Sequence, residues 1–246
     1  MRKHARSKCV LCVLDEVRAS AFGRRTFAGV LMKERLLGFV LLVGLLVSLA
    51  CQAATARRPK PQDKPQPVPQ VKLAPAVEKM VNAAHTQTEV TKTYDPAYTV
   101  IPYPNGDVPR EKGVCTDVIV RAFRDGANVD LQKDVHEDMK HNFTVYPKKW
   151  GLKKPDANID HRRVPNLMTY LTRQGKSLLV SPESKDYQPG DIVAWDMGGG
   201  ITHIGIMSSQ WDESVGRYKV VHNVGWGVAI EDRLYDWKII GHYRYF

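Results

Sequence analysis

The order of helical and extended segments is the feature that most constrains this fold. Apolar residues recur at helical spacing in three stretches, 76–90, 114–126 and 165–173, and a shorter helical stretch covers 136–142. The chain after residue 190 instead contains short β-branched or aromatic runs between Gly- and Asp-rich turns, at 191–195, 203–208, 218–223, 228–231 and 239–245. Helices followed by a curled antiparallel meander predict an α+β fold.

The N-terminal part of the chain carries an export signal. Residues 36–50 form an apolar run that follows Lys33 and Arg35 and precedes small residues, which predicts a cleaved secretory signal and a periplasmic or envelope-associated protein. The run is shorter than the roughly twenty residues that a spanning helix needs. A signal of ordinary length begins at Met32, which suggests that Met32 is the true start. Cys51 comes directly after the run, so a lipid anchor at Cys51 that tethers the protein to a membrane stays an alternative.

Composition divides the chain into three parts. Residues 1–53 are the N-terminal extension with the signal, 54–75 form a proline-rich basic linker, and 76–246 form one folded domain. The formal net charge is +10, but the excess lies before residue 73, and residues 73–246 hold 22 basic and 22 acidic side chains. A domain without a basic excess lacks the electrostatic footprint of a nucleic-acid binder, so no nucleic-acid partner is expected. Nothing in the pattern indicates an oligomeric state.

Cysteine and histidine spacing predicts neither a metal nor another cofactor. Three of the four cysteines lie in the leader or at its edge, which leaves Cys115 as the single thiol of the mature domain. Cys9 and Cys12 have C-x-x-C spacing without a second pair to complete a zinc site. His136 and His141 are five residues apart, which does not place two ligands on one helical face.

Cys115 begins a predicted helix, where the positive end of the helix favours a thiolate and lowers the pKa. A small buried residue is the alternative interpretation. His203 opens a predicted strand, and the next strand carries His222 and Asn223. One of these two could orient His203 as a base, but alternation along the strand turns them to opposite faces.

Four motifs occur in an order that resembles the NlpC-type peptidases of the papain-like superfamily, which cut peptidoglycan stem peptides. They are Y-P-N-G-D-V-P-R-E-K-G-V-C-T-D, Y-Q-P-G-D-I-V-A-W, T-H-I-G-I-M and V-V-H-N-V-G. The span 94–246, with V-H-E-D-M and N-I-D-H-R-R-V-P-N-L, further resembles the bacterial family of domain of unknown function 1287. The resemblance implies a papain-like fold, with the nucleophile at a helix N-terminus packed on the C-terminal sheet.

The resemblance also implies residue roles. Cys115 would be the nucleophile, His203 its base and His222 the polar residue that orients the base. Asn223 stays an alternative for the third role, because papain itself uses an asparagine. Tyr103 stands twelve residues before Cys115, where the peptidases place a tyrosine whose hydroxyl borders the oxyanion site.

The residues around the nucleophile depart from the family pattern. The peptidases usually have Asp-Cys-Ser-Gly, whereas this chain has Val114 before Cys115, and Thr116 and Asp117 after it. Thr116 and Asp117 are therefore candidate substrate contacts, but the peptidases' stem-peptide specificity does not transfer. Arg162, in the run His-Arg-Arg, is a candidate for binding a carboxylate or phosphate, with a solvated loop as the alternative.

These observations favour hydrolysis of an amide bond in peptidoglycan or another envelope substrate. A second hypothesis is acyl transfer or hydrolysis of a lipid ester, since other members of the superfamily process acyl chains. Those relatives are commonly permuted, with the histidine before the cysteine, whereas Cys115 precedes His203 here. A third hypothesis is an envelope-binding module without turnover. A tryptophan after a glycine, Trp226, is also expected to line a cleft.

Overall fold

The structure is a computed structural model and describes residues 68–69 and 71–246. The predictions on the signal run, the start at Met32, the cysteine pair Cys9 and Cys12, and lipidation at Cys51 concern residues outside that description. Within the described residues, no helix has the length and apolar character needed to cross a membrane.

The predicted helices are present. They are α1 Pro75–Val90, α2 Cys115–Ala127, α3 Leu131–Asn142 and α4 Val164–Arg173, with 3₁₀ turns at Phe143–Val145, Asp160–Arg162 and Ser184–Asp186. Proline at the start of α1 and α4 suits a first turn, where its missing N–H has no intrahelical partner.

The position of Gly126 after the apolar stripe predicts that α2 stops there, but the helix continues to Ala127. Asn128 is the stop, in the left-handed conformation with φ 56°, and its N–H bonds to the carbonyl of Arg124. Gly126 lies inside the helix, where a Cβ would approach the Cα of Met80 to 2.4 Å. The glycine therefore allows the backbones of α1 and α2 to pack closely.

A five-stranded antiparallel sheet forms the second half of the fold. Its strands are β3 Ile192–Asp196, β4 Thr202–Asp212, β5 Arg217–Asn223, β6 Val228–Glu231 and β7 Lys238–Tyr243, in the order β6-β5-β4-β3-β7. The expected α+β class is confirmed, but the meander ends at β6, and β7 pairs with β3 at the opposite edge. Since β3 is almost entirely buried, an unpaired edge there would leave backbone groups without partners, and β7 supplies those partners.

The prolines and the Asn105–Gly106 pair in the segment 94–113 predict a loop without a regular element. The structure instead has a short parallel pair, β1 Thr93–Tyr94 with β2 Lys112–Gly113. Because β2 ends two residues before Cys115, this pair brings Tyr94 next to the start of α2.

The core lies where α2 packs between α1 and the sheet. Every residue of α2 from 115 to 123 is buried, including Arg121, whose guanidinium pairs with Asp107. In the sheet, the register places Ile206 opposite Val221, so His203 and His222 fall on the same face. The first turn of α2 and this part of the sheet are consequently fixed by packing.

Candidate active site

Cys115 is the first residue of α2, and its side chain is buried. It nevertheless contributes to the wall of a groove of about 400 Å³. The backbone N–H of Ile204 on β4 bonds to the Cys115 thiol, so the thiol lies directly beside the strand that carries His203. The N–H groups of the first turn of a helix have no intrahelical partner, and those of Cys115 and Thr116 are in this position.

The thiol does not have the low pKa that its helix-terminal position suggested. Burial raises the pKa of Cys115 to about 12, and the nearby Asp117 carboxylate adds to the increase. Hydrogen bonds from the N–H groups of Ile204 and Thr116 oppose the shift without overcoming it. Desolvation of the charged form outweighs the helix end here, and Cys115 at rest is a neutral thiol.

His203 and His222 form a buried hydrogen-bonded pair. The distance from His203 Nε2 to His222 Nδ1 is 2.9 Å, and the rings are 3% and 1% exposed. Burial, followed by the proximity of the second imidazole, lowers the pKa of His203 to about 3, and burial also lowers the pKa of His222. Both rings are therefore neutral near pH 7.

Glu231 on β6 determines which ring nitrogens carry hydrogen. Its Oε2 lies 3.2 Å from His222 Nε2 and 3.2 Å from Arg233 Nε. Although burial opposes it, Arg233 and His222 hold the pKa of Glu231 below its usual range, so the carboxylate can only accept. His222 therefore donates from Nε2 and accepts at Nδ1, and His203 donates from Nε2. His203 Nδ1 is left with a free lone pair, as a general base requires.

Two tryptophans hold the His203 ring. Trp195 stacks on it at a centroid distance of 5.7 Å, and Trp237 meets it edge to face at 5.6 Å. The Trp195 indole N–H is itself bound to the carbonyl of Leu234 at 2.9 Å. The His203 ring is thus restrained on both sides as well as by His222.

Asn223 faces away from the histidine pair. Its side-chain amide donates to the carbonyls of Gly113, at 3.1 Å, and Thr93, at 3.4 Å. Of the two candidates for the third position, the structure places His222 against His203 and uses Asn223 to join β5 to the segment that precedes Cys115.

Tyr103 is not near Cys115, in contrast to what the resemblance implied. Its hydroxyl bonds to Glu137 on α3, and its ring packs against His136. Tyr94 lines the Cys115 groove instead. Burial, and then the proximity of Cys115 and Asp117, raise the pKa of Tyr94 to about 12.

Arg162 is neither in a solvated loop nor free to bind a substrate. Its guanidinium makes two bonds of 2.9 Å to the Asp117 carboxylate, and both side chains are buried. Asp117 also accepts the N–H of Val114 at 2.7 Å, which caps α2. The pair fixes the backbone on either side of Cys115. Thr116 is fully buried, and its hydroxyl has no hydrogen-bond partner.

The groove beside Cys115 is mostly aromatic and aliphatic. Its walls are formed by residues from the segment after β1, the N-terminal ends of α2 and α4, the segment between α3 and α4, and the start of β4, namely Tyr94, Pro96, Tyr98, Val114, Cys115, Trp150, Ile159, Arg162, Arg163, Val164, Pro165 and Thr202. Trp226, expected to line a cleft, is 93% exposed at the turn between β5 and β6 and lies outside this groove. In residues 71–246, no three His, Cys, Asp or Glu side chains group to hold a metal ion.

Two residues of the site were absent from the sequence predictions. Glu231 could have been found, because β6 pairs with β5 in a register that sets Ala229 opposite His222 and leaves Glu231 on the same face. Tyr94 had no comparable signal, since its position depends on a two-residue pairing inside a proline-rich loop.

These residues define an α+β domain in which a thiol at a helix start is bonded to the strand that carries one of a buried pair of histidines. The chain belongs to the DUF1287 family, described as a domain of unknown function, whose model matches residues 81–245. It is 52% identical over 167 residues to the uncharacterized protein YijF of Escherichia coli (strain K12), across 68% of this chain and 80% of YijF.

Proposed function

We propose that this protein is an exported thiol hydrolase with a papain-like, NlpC-type fold, which cleaves an amide bond in peptidoglycan stem peptides. The observation that carries the proposal is the hydrogen-bonded series from Glu231 through His222 to His203, which leaves His203 Nδ1 free on the strand whose Ile204 N–H bonds to the Cys115 thiol. A ring nitrogen without a proton, held next to a nucleophile and oriented by a third group, is the arrangement of nucleophilic catalysis.

The reaction starts from a neutral thiol and a neutral imidazole. Cys115 Sγ bonds to the amide carbonyl carbon while its proton passes to His203 Nδ1, and the carbonyl oxygen takes the negative charge. The N–H groups of Cys115 and Thr116, which bond to the Cys115 sulfur at rest, turn to that oxyanion as the sulfur bonds to carbon, and the hydroxyl of Tyr94 can join them from the groove wall. The C–N bond then breaks as His203 returns the proton to the leaving amine, which leaves a thioester on Cys115.

Water completes the cycle. His203 Nδ1 accepts a proton from the water as its oxygen attacks the thioester carbonyl. The C–S bond breaks, the carboxylic acid product leaves, and the proton returns to the Cys115 sulfur. No cofactor takes part in this sequence of steps.

The chain order of the residues supports amide hydrolysis over lipid chemistry. Cys115 precedes His203, whereas the acyl-processing relatives of the superfamily are commonly permuted. The aromatic and aliphatic walls of the groove would also suit an acyl chain, so hydrolysis or transfer of a lipid ester is the second candidate.

The test is incubation of the purified protein with sacculi, followed by mass analysis of the released fragments. We expect new free amine and carboxyl ends in stem peptides with the wild-type protein and none with Cys115→Ala. A parallel incubation with phospholipid vesicles tests the alternative, because Cys115-dependent release of fatty acid without peptide cleavage would replace the proposal. Binding to sacculi that is unchanged by Cys115→Ala, without any fragment, would instead indicate a module without turnover.

A further inference from the structure

Arg163 differs from every other arginine in the described part of the chain. Nine arginines lie between residues 71 and 246, and eight of them form an ion pair with a carboxylate, namely Arg110, Arg121, Arg124, Arg162, Arg173, Arg217, Arg233 and Arg244. Within the same residues Arg163 has no ion pair. Its guanidinium carbon lies 4.3 Å from the centre of the Trp150 ring instead.

Arg163 lies at the groove beside Cys115, where a guanidinium without an ion pair can contact a ligand. Arg163 precedes α4 and, with Trp150, forms part of the groove that Cys115 lines. Burial lowers the pKa of the guanidinium, while Asp160 and Asp156 oppose that shift from nearby. Both carboxylates are occupied, since Asp160 bonds to His136 at 3.0 Å and Asp156 accepts the Tyr98 hydroxyl at 3.1 Å. A partly desolvated cation without a partner gains strongly from an anionic ligand.

The other charges at the groove do not compete for such a ligand. Arg162 is the only other charged residue in the groove wall, and the two bonds to Asp117 neutralise it. Val114 stands before the nucleophile where the peptidases carry an aspartate. Among the described residues, Arg163 is therefore the charged group of the groove wall that forms no ion pair.

We propose that Arg163, which lies over the Trp150 ring, binds a carboxylate of the substrate, so that the enzyme prefers peptides with a free carboxylate near the scissile amide. This inference rests on the proposed function and adds substrate specificity to it. A planar guanidinium pairs with a carboxylate through two parallel N–H bonds, and the contact with the tryptophan ring helps to hold the guanidinium in place. Stem peptides offer such carboxylates, whereas their amidated forms do not.

The first arm of the test compares two ligands. One is a stem peptide with a free glutamyl carboxylate, and the other is the same peptide with that carboxylate converted to a primary amide. We expect the wild-type kcat/KM to be roughly 10- to 100-fold higher for the acid, the range of a charged hydrogen-bonded contact. The Cys115→Ala variant, used for calorimetric binding, should show the same preference in Kd without turnover.

The second arm compares variants. Arg163→Gln should abolish the preference for the acid in both kcat/KM and Kd, and Arg163→Lys should restore only part of it, because an ammonium lacks the planar fork. The matched control is Arg173→Gln, which removes one positive charge from the same helix outside the groove and should keep the full preference.

The outcomes separate the inference from the proposed function. Equal cleavage and equal binding of acid and amide by the wild-type protein would overturn the inference while the hydrolase remains. A preference that persists in Arg163→Gln would overturn it too. Cleavage of neither peptide, with tighter binding of the acid by Cys115→Ala, would instead refute the hydrolase and support carboxylate binding at Arg163.

Discussion

His222 offers the sharpest test of the site, because its contact with His203 is short and buried. His222→Ala removes the acceptor that lies 2.9 Å from His203 Nε2 and leaves that N–H in a region without solvent. An unsatisfied buried donor costs about 1–3 kcal/mol. Because 1.36 kcal/mol corresponds to a factor of ten, a loss of this size that falls on the transition state slows turnover roughly 5- to 150-fold. Loss of the correct tautomer of His203 extends the deficit toward about 10⁴.

His222→Asn is the matched variant, since the asparagine side-chain oxygen can occupy the place of Nδ1 and accept from His203. We expect kcat/KM for stem-peptide cleavage to stay within roughly tenfold of wild type in His222→Asn and to fall by about 10²–10⁴ in His222→Ala. Thermal unfolding and alkylation of Cys115, measured on the same samples, show whether the fold and the thiol are intact.

Asn223→Ala is the control from the adjacent position. It removes the hydrogen bonds to Gly113 and Thr93, so it should lower the unfolding temperature and leave the kcat of the folded fraction close to wild type. Equal losses in His222→Ala and His222→Asn would refute the acceptor role. A large loss of kcat in Asn223→Ala with a small loss in His222→Ala would show that Asn223, and not His222, orients the base.

Three further predictions concern charge. Cys115 should react with iodoacetamide more slowly than a model thiol at pH 8, because burial holds its pKa at about 12. The alkylation rate should still rise above pH 10. A rate that reaches its plateau by pH 6 would instead indicate a thiolate–imidazolium pair. Arg162→Ala should lower the free energy of unfolding in urea by about 3–5 kcal/mol, because it leaves Asp117 buried without its partner. The comparison is Arg173→Ala, which removes a more exposed ion pair and should cost up to about 1 kcal/mol. Equal losses in the two variants would contradict the prediction. Burial lowers the pKa of His161 to about 3, so the unfolded chain binds the proton first as the pH falls below about 6.5. The free energy of unfolding should therefore drop by about 2 kcal/mol between pH 7 and pH 5. In urea titrations, His161→Gln should remove that share of the pH dependence.

Periodicity was sufficient to predict the four helices, the five strands of the large sheet and the pairing of the two histidines. The strand containing His203 and the strand containing His222 were both visible as alternating runs, and a short connection makes neighbouring antiparallel strands the default. Alternation then allowed only one of His222 and Asn223 to face His203. The sheet order could not be read in the same way, because the pairing of β7 with β3 depends on which edge is buried.

The charge properties of the site could not be predicted from local pattern. The helix start at Cys115 indicated a low pKa, but desolvation depends on how many residues from distant parts of the chain close over the thiol. The same limit applies to Arg162, whose partner Asp117 lies forty-five positions away in the chain. Sequence shows which residues can ionise, and tertiary packing decides which of them do.

In the proposed reaction, the resting state of the site determines the step at which the Glu231–His222 series contributes. Because the pKa of Cys115 is raised and the pKa of His203 is lowered, the thiol and the imidazole are both neutral before attack. Positive charge therefore appears on His203 only as the carbon–sulfur bond forms. At that moment the His203 N–H donates to a ring that is backed by the Glu231 carboxylate, so the series interacts more strongly with the transition state than with the resting site. An interaction of this kind raises kcat rather than affinity, and it accounts for an acidic residue placed two hydrogen bonds away from the base.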